Sequence, residues 1–443
     1  MVVPARKARK ELSADSLFRR LRARFHEIPD PRPGKPEVPL GNALMAGFAM
    51  FSLKDPSLLA FDERRDDPND NFRTIYGIAA VPCDTQMRSI LDPVDPDALR
   101  PLFGDVFRCL QRGKALQRFV YLEGHYLLSL DGTNYFSSTK IHCASCLEKQ
   151  HRGGGVSYYH QLLGASLVHP DLKEVIALAP EPIINQDGHT KNDCERNATR
   201  RWLKHFRREH PHLPVIVVED GLGANAPHLC DLGEARVRYI IGVKPGDHAF
   251  LFQHLRDADE AGRTPQLTQV DPVTGVLDHF RWHNGVPLNE SNPDTLVNVL
   301  EYWEIAGDGT VQYFSWISDF FLTPDNVFRI MRGGRARWKI ENETFNTLKN
   351  QGYHLEHNYG HGAQNLSVVL ALLLMLAFLV DQVQQLCCAL FQAAWKKRRS
   401  NKRSLWEELR KLFDSFVFGS MQELYEAMVS GIARQKPVLQ NSS

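Results

Sequence analysis

Apolar positions recur along the chain with two different periods, and the change from one to the other divides it. Near the start, Leu17, Phe18, Leu21 and Phe25 fall at helix-face spacing, with Arg19, Arg20, Arg22 and Arg24 between them. Asp30-Pro-Arg-Pro-Gly-Lys-Pro then breaks the chain. Further helical stretches are predicted at 43–51, 87–91 and 99–116, with an Asp/Asn/Pro-rich loop at 66–71. From Phe119 the texture turns extended: Phe119-Val-Tyr-Leu, then Tyr126-Leu-Leu-Ser-Leu-Asp131, then strands at 158–168 and 175–179 joined by the turn His169-Pro-Asp. An amphipathic helix over 194–209 sets Ala198, Trp202, Leu203 and Phe206 on one face. The short apolar runs at 215–220 and 238–243 suit buried central strands. The order β-β-β-α-β-α-β predicts an α/β fold with a mixed sheet.

Residues 265–321 return to strand and turn texture, with turn signals at 270–275 and at Gly307-Asp-Gly and a concentration of Trp282, Tyr302, Trp303 and Trp316. Residues 324–349 read as a helix of alternating basic and apolar residues. A Gly/His/Asn-rich loop, an apolar helix, a basic run and an amphipathic helix at 405–416 complete the chain. These breaks divide it into a helical N-terminal region (1–118), a first core segment (119–264), a β-rich insertion (265–322), a segment with two helices (323–394) and a basic, helical tail (395–443).

Composition narrows the classes. Hydrophobic residues make up 43% and charged residues 24% of 443, ordinary values for a globular protein, so disorder is excluded as the main state. The 53 basic and 52 acidic residues leave a net charge of +1, so any nucleic-acid partner must meet local patches. Eight cysteines are too few for a disulfide-stapled fold. The longest apolar run, 366–380, falls short of the ~20 residues that span a bilayer and stops at Asp381, which predicts a buried core helix. With no signal-peptide pattern at the start, the expected setting is the cytoplasm, without a membrane partner.

Two acids end apolar runs: Asp131 in Leu-Ser-Leu-Asp-Gly-Thr, and Asp220 in Val-Val-Glu-Asp-Gly. The carboxyl ends of strands are where sites form in α/β sheets. Carboxylates gathered there repel unless a cation joins them, and oxygen donors with open positions select Mg²⁺ or Mn²⁺. A third element is the helix Arg335-Ala-Arg-Trp-Lys-Ile-Glu-Asn-Glu, in which Arg337 and Glu341 are four apart and share a face.

In this order the three pieces resemble the DDE transposases of bacterial insertion sequences, in particular the cut-and-paste group whose RNase H-like core carries a β-rich insertion before the third acid. The resemblance spans roughly residues 119–390. It implies that Asp131, Asp220 and Glu341 form the metal-binding triad of a two-metal Mg²⁺ or Mn²⁺ site, with Asp131 bridging. It implies nicking at element ends followed by strand transfer. The partners would be the double-stranded DNA of terminal inverted repeats and target, engaged by a homodimer in a synaptic complex near the nucleoid. The family's helix signature is Tyr, two residues, Arg, three residues, Glu, six residues, Lys. Arg337 and Glu341 fit it. Gly334 stands at the Tyr position, with Tyr353 or Tyr359 as substitutes, and Lys349 lies one step beyond the Lys position. Glu343 is the rival third acid.

DNA contacts are expected from Arg335, Arg337, Lys339 and Lys349 beside the site. Lys396, Lys397, Arg398 and Arg399 form part of a run with six positive charges in eight residues. The N-terminus adds a second run, eight Lys/Arg against two Asp/Glu in residues 1–24. Trp282, Trp303 and Trp316 are candidates to stack on an unpaired base, with Trp303 and Trp316 favoured. The C-terminal amphipathic helix is a candidate dimer contact. Cys143-Ala-Ser-Cys146 has zinc-ligand spacing, with His151 and His160 nearby, and sheet topology would bring Cys194 to the same edge as a third ligand. Rival readings are a structure-specific nuclease and a catalytically silent DNA-binding protein.

Overall fold

The computed structural model describes residues 10–66, 70–143, 145–184, 194–397 and 402–431. They form two compact units, one of residues 116–346 and one combining 1–115 with 347–443. The N-terminal and C-terminal helical regions, expected as separate segments, therefore share one unit.

The 116–346 unit is a mixed α/β structure built on one eleven-stranded sheet. Its strands are β1 (Tyr126–Ser138), β2 (Leu147–Gln150), β3 (Val156–Val168), β4 (Ile176–Ala177), β5 (Glu181–Ile183), β6 (Val215–Glu219), β7 (Arg238–Gly242), β8 (Gln266–Val270), β9 (Leu277–Asn289), β10 (Asn292–Ile305) and β11 (Val311–Ser318). The order is β2-β3-β1-β6-β7-β11-β10-β9-β8, with β4 and β5 also paired to β3. β1 runs antiparallel to β3 but parallel to β6, and β6 runs parallel to β7. The five residues of β6 are all buried, as a continuous apolar run in a central parallel strand requires. Strands β8 to β11 are antiparallel and extend the same sheet through β11 against β7.

Three local expectations are corrected. Phe119-Val-Tyr-Leu is not a strand: the chain makes short 3-10 turns at Ala115–Phe119 and Leu122–Gly124, and only Val120 bridges to Tyr126. Glu123 and Gly124 both take positive φ (49° and 76°), which reverses the chain too sharply for a ladder. β1 does not end at Asp131 but continues to Ser138, because β3 pairs with it well past that point. The helix expected over 324–349 is interrupted. It is α-helical at Val327–Arg335, tightened to i→i+3 bonding near 336–340, and widened into a π turn at Ile340–Phe345 before Asn346–Asn350.

The cause of that interruption is docking onto the sheet through small residues. The Ser129 hydroxyl donates to the Arg337 carbonyl at 3.2 Å, and the Ser166 and Thr344 hydroxyls meet at 3.3 Å. Gly164, directly opposite Asp131 in the β1–β3 ladder, leaves room for Phe345: a Cβ there would lie 2.7 Å from the ring. The absence of Tyr at position 334 has a similar reason. Gly334 is pressed against the Trp316 indole, and any side chain there would collide with it.

The second unit is helical. Its helix Leu366–Cys387 is long and apolar enough to cross a membrane, and 94% of its most apolar window is buried. It runs through Asp381, where the sequence suggested a stop, because Asp381 is paired: Lys54 Nζ lies 2.5 Å away and the Tyr353 hydroxyl donates to it at 2.7 Å. Helices Ala389–Lys397 and Met421–Ser430 were not anticipated. Helix Lys402–Ser415 buries Leu405, Trp406, Leu409 and Phe413, so the apolar face expected at a dimer contact is already covered.

These contacts predict opposite outcomes at two helical glycines. Gly334→Ala should destabilise by ~1–2 kcal/mol net, because overpacking against Trp316 outweighs the gain in helix propensity. Gly233→Ala, exposed and with nothing within 4 Å of its Cβ position, should be neutral or stabilising by up to ~1 kcal/mol. Urea unfolding midpoints of the two variants would check this, and a Gly334→Ala midpoint equal to the parent's would refute the packing argument.

Candidate active site

The β1–β6 register brings the first two acids together. Ser129 pairs with Val218, so continuing the ladder by two residues sets Asp131 beside Asp220, on neighbouring strands roughly 5 Å apart. β6 stops at Glu219, leaving Asp131 where its parallel neighbour ends. Asp220 caps the following 3-10 turn Gly221–Gly223 and accepts the Leu222 amide at 3.0 Å. Glu341 enters from the π turn. Arg337, one turn earlier, lies between the acids, with Nη1 at 2.8 Å from Glu341 Oε1 and 3.6 Å from Asp131 Oδ2. The structure thus gathers Asp131, Asp220, Glu341 and Arg337.

A fourth acid joins them that sequence reasoning missed. Glu195, the first residue of helix Glu195–Glu209, lines a small cleft of about 40 Å³ together with Asp131 and Asp220. Gly132 lies beside it, and a Cβ there would displace the Glu195 carboxylate. The only sequence signal was an acid in the first turn of a predicted helix, which ordinarily means no more than a favourable helix dipole. Behind Asp220, Glu219 and His228 form a buried pair, Nε2 to Oε2 at 2.6 Å.

The electrostatics follow from this crowding. Burial pushes the Asp131 carboxyl up to about 7; Arg337 opposes the shift, while the charges of Glu341, Glu195 and Asp220 add to it. Glu195 is also raised, by burial first and then by Asp220 and Glu219. His228 is raised as well, because Glu219 outweighs the desolvation that would lower it. Hard oxygen donors, half-buried except for the exposed Asp220 and mutually repelling, are a donor set that fits a small divalent cation.

The expected DNA-contacting residues fall in different environments. Arg335 pairs with Glu304 and lies over the Phe314 ring at 4.9 Å; Lys339 donates to the Leu172 carbonyl at 2.7 Å. Both line a larger cleft of about 430 Å³ with Arg332, Asp278 and Tyr302. Trp282 and Trp316 are each only 5% exposed, so they pack the sheet and are not placed to stack on a base, while Trp303 is half-buried against Tyr313 and His279. Trp338, which was not singled out, is 50% exposed beside Arg337, whose guanidinium sits 4.4 Å from its ring centre.

Lys349 belongs to the helical unit and pairs with Glu356 at 2.9 Å. The two substitutes proposed for the missing Tyr are both committed: Tyr353 to Asp381, and Tyr359 to the Asp55 carbonyl at 2.7 Å. Lys396 is exposed, whereas Lys397 donates to the carbonyls of Met428 and Val429 and so closes a helix end. Arg398 and Arg399 lie outside the described residues. Cys143 and Cys146 come together with His160; Cys194 is exposed at the start of helix Glu195–Glu209 and is not part of that group.

No family model matches the sequence, and no curated protein does. Among solved structures, the chain is similar to a piggyBac transposase seen by cryo-EM in a synaptic complex with hairpin DNA. The identity is 11% and the TM-score 0.44, over 98% of this chain and 84% of that one. A likeness of that degree leaves the residues themselves to carry any functional reading.

Crowding at Asp131 has a consequence for stability. In the unfolded chain its carboxyl loses its proton near pH 4, but in the metal-free fold it keeps it to about 7. Between those values the folded state holds more protons, so stability falls as pH rises. Asp131→Asn should flatten this slope and raise neutral-pH stability by ~1–3 kcal/mol. Urea titrations from pH 4 to 8 in chelator would check it, and an unchanged slope would show that Asp131 is not the group responsible.

Proposed function

We propose that this chain is a metal-dependent DNA transposase with an RNase H-like core, of the cut-and-paste kind found in bacterial insertion sequences. The observation that carries this reading is the convergence of Asp131, Asp220 and Glu341 from two adjacent parallel strands and a helix docked across them. The sheet supports it: an antiparallel β3–β1 pair followed by parallel β6 and β7, with four antiparallel strands intervening before the helix that carries the third acid.

Bound there, a pair of Mg²⁺ or Mn²⁺ ions supplies Lewis-acid stabilisation of attacking and leaving oxygens in an in-line displacement. Asp131, half-buried between the other acids, would hold the ions together with Asp220 and Glu341. Glu195 adds a fourth oxygen donor at the edge of the cleft. Arg337 holds the Glu341 carboxylate in place by its ion pair. In nicking, a water oxygen bonds to phosphorus as the 3′-oxygen leaves. In strand transfer, that 3′-hydroxyl attacks a target phosphodiester, so one P–O bond forms for each one broken and no protein adduct is needed.

The DNA partners are element ends and target duplex, held by two copies of the chain in the cytoplasm, at the nucleoid. Arg335, Lys339 and Lys396 supply phosphate contacts, with Arg398 and Arg399 continuing the basic run. Trp338 is an exposed ring beside Arg337, and Trp303 is the open member of the insertion's tryptophans.

Incubating the purified protein and Mg²⁺ or Mn²⁺ with the DNA that flanks its gene should give cleavage at a defined end and joined products. Asp131→Ala, Asp220→Asn and Glu341→Gln should each reduce this by at least about a thousandfold, and Glu343→Gln by only a few-fold. Nicks without joined products would favour a nuclease. Specific binding without cleavage in any form would favour a silent DNA-binding protein.

A further inference from the structure

We propose that Cys143, Cys146 and His160 form a structural zinc centre that pins the edge of the sheet, a site separate from the carboxylate cluster. The three ligand atoms already stand where a tetrahedral zinc would hold them. Zn–S bonds of about 2.3 Å and a Zn–N bond of about 2.05 Å at tetrahedral angles place sulfur from sulfur at about 3.8 Å and sulfur from nitrogen at about 3.6 Å. The observed separations are 3.9 Å between Cys143 Sγ and Cys146 Sγ, and 3.5 Å from each sulfur to His160 Nε2.

Hydrogen bonding explains this arrangement less well. Nε2 has one lone pair and would accept from one thiol, yet both sulfurs approach it equally. Nor is it a disulfide, whose S–S bond is near 2.05 Å. The loop is shaped to present both sulfurs: the Cys146 amide donates to the Cys143 carbonyl at 3.2 Å, and the Cys143 amide points at Cys146 Sγ at 3.5 Å. Thirteen residues (147–159) separate Cys146 from His160, inside the 12–15 typical between a Cys-x-x-Cys pair and the first histidine of a zinc site. Cys146 and His160 are buried, at 3% and 1% exposure.

The placement says what such a centre would do. Cys146 immediately precedes β2, a four-residue edge strand with only Leu147 buried, and His160 lies in β3 opposite Phe136 of β1. A strand that short has little packing of its own, so a metal joining its start to β3 would fix it. The Tyr135 ring stacks over His160 at 5.8 Å and holds the imidazole plane. His160 is four positions along β3 from Gly164, the partner of Asp131, too far to share in the carboxylate chemistry. Three protein ligands leave one tetrahedral position for a water or a further side chain.

The test is metal content of the full chain purified from zinc-supplemented culture, with cobalt as a spectroscopic probe. The expected result is one zinc per chain and, on Co²⁺ substitution, tetrahedral d–d bands with thiolate charge-transfer absorption. Cys143→Ser/Cys146→Ser should lose both, and Cys194→Ser should keep both. So that a folding defect in the double variant cannot obscure the result, the wild-type cobalt spectrum decides by itself. No bound zinc and no thiolate charge transfer in the wild type would overturn the proposal, as would zinc retained in the double variant or lost in Cys194→Ser. None of these readouts depends on whether the protein cuts DNA.

Discussion

Repulsion among carboxylates is the constraint around which the 116–346 unit is organised. Asp131, Asp220, Glu195 and Glu341 meet near one cleft, and burial makes the charges of Asp131 and Glu195 harder to keep. Nothing local holds such a group together, so the scaffold must. The β1–β6 ladder sets the first two acids side by side. The 3-10 turn after β6 ties one to its own backbone, and Arg337 stands between the first and the third. Small residues let the elements close up: Gly132 beside Glu195, Gly164 beneath Phe345, and Ser129 and Ser166 under the helix. Each gives up side-chain packing so that an acid-bearing segment can approach.

That trade explains which features could be read from the chain. The strands show as apolar runs because their positions are dictated by burial, and burial is written in residue type. Asp131 and Asp220 stood out because each ends such a run, and Glu341 because it shares a helix face with Arg337 four residues earlier. Glu195 did not, since an acid at a helix start has an ordinary explanation and only the folded register brings it to Asp131. The extension of β1 past Asp131 was hidden for the same reason: Asn134 and Ser137 carry no apolar signal, and the pairing that makes them a strand comes from β3. The interrupted helix at 336–345 could not be inferred either, because its contacts with the sheet, such as the Ser129 hydroxyl on the Arg337 carbonyl, come from another element. Trp316 misled in the opposite sense. A tryptophan in a strand reads equally as a ligand platform or as core, and the missing side chain at Gly334 is what settles it as core.

A second buried acid shows what the surroundings of Asp131 add to its burial. Asp381 is also desolvated and also raised by burial, but its neighbours are Lys54, bonded to it, and the Tyr353 hydroxyl. Lys54 in turn donates to the Ser52 carbonyl and lies 4.2 Å from the centre of the Trp406 ring. The Asp381 Oδ2 atom meets both Lys54 and the Tyr353 hydroxyl within the helical unit, and removing one partner would strand a buried charge. Its role is complete without any ligand.

Asp131 differs in the sign of what surrounds it. It has one guanidinium at 3.6 Å and three carboxylates around it, which add to the upward push of burial that Arg337 opposes. A fold gains nothing in stability from such an arrangement, and the small residues that permit it each forgo packing. A small divalent cation would reverse the balance: attraction to four oxygens would replace repulsion among them, and the proton held to about pH 7 would be displaced. Burial alone therefore does not distinguish a structural acid from a working one. The charges facing it do: Asp381 faces an ammonium, whereas Asp131 faces three carboxylates and one guanidinium.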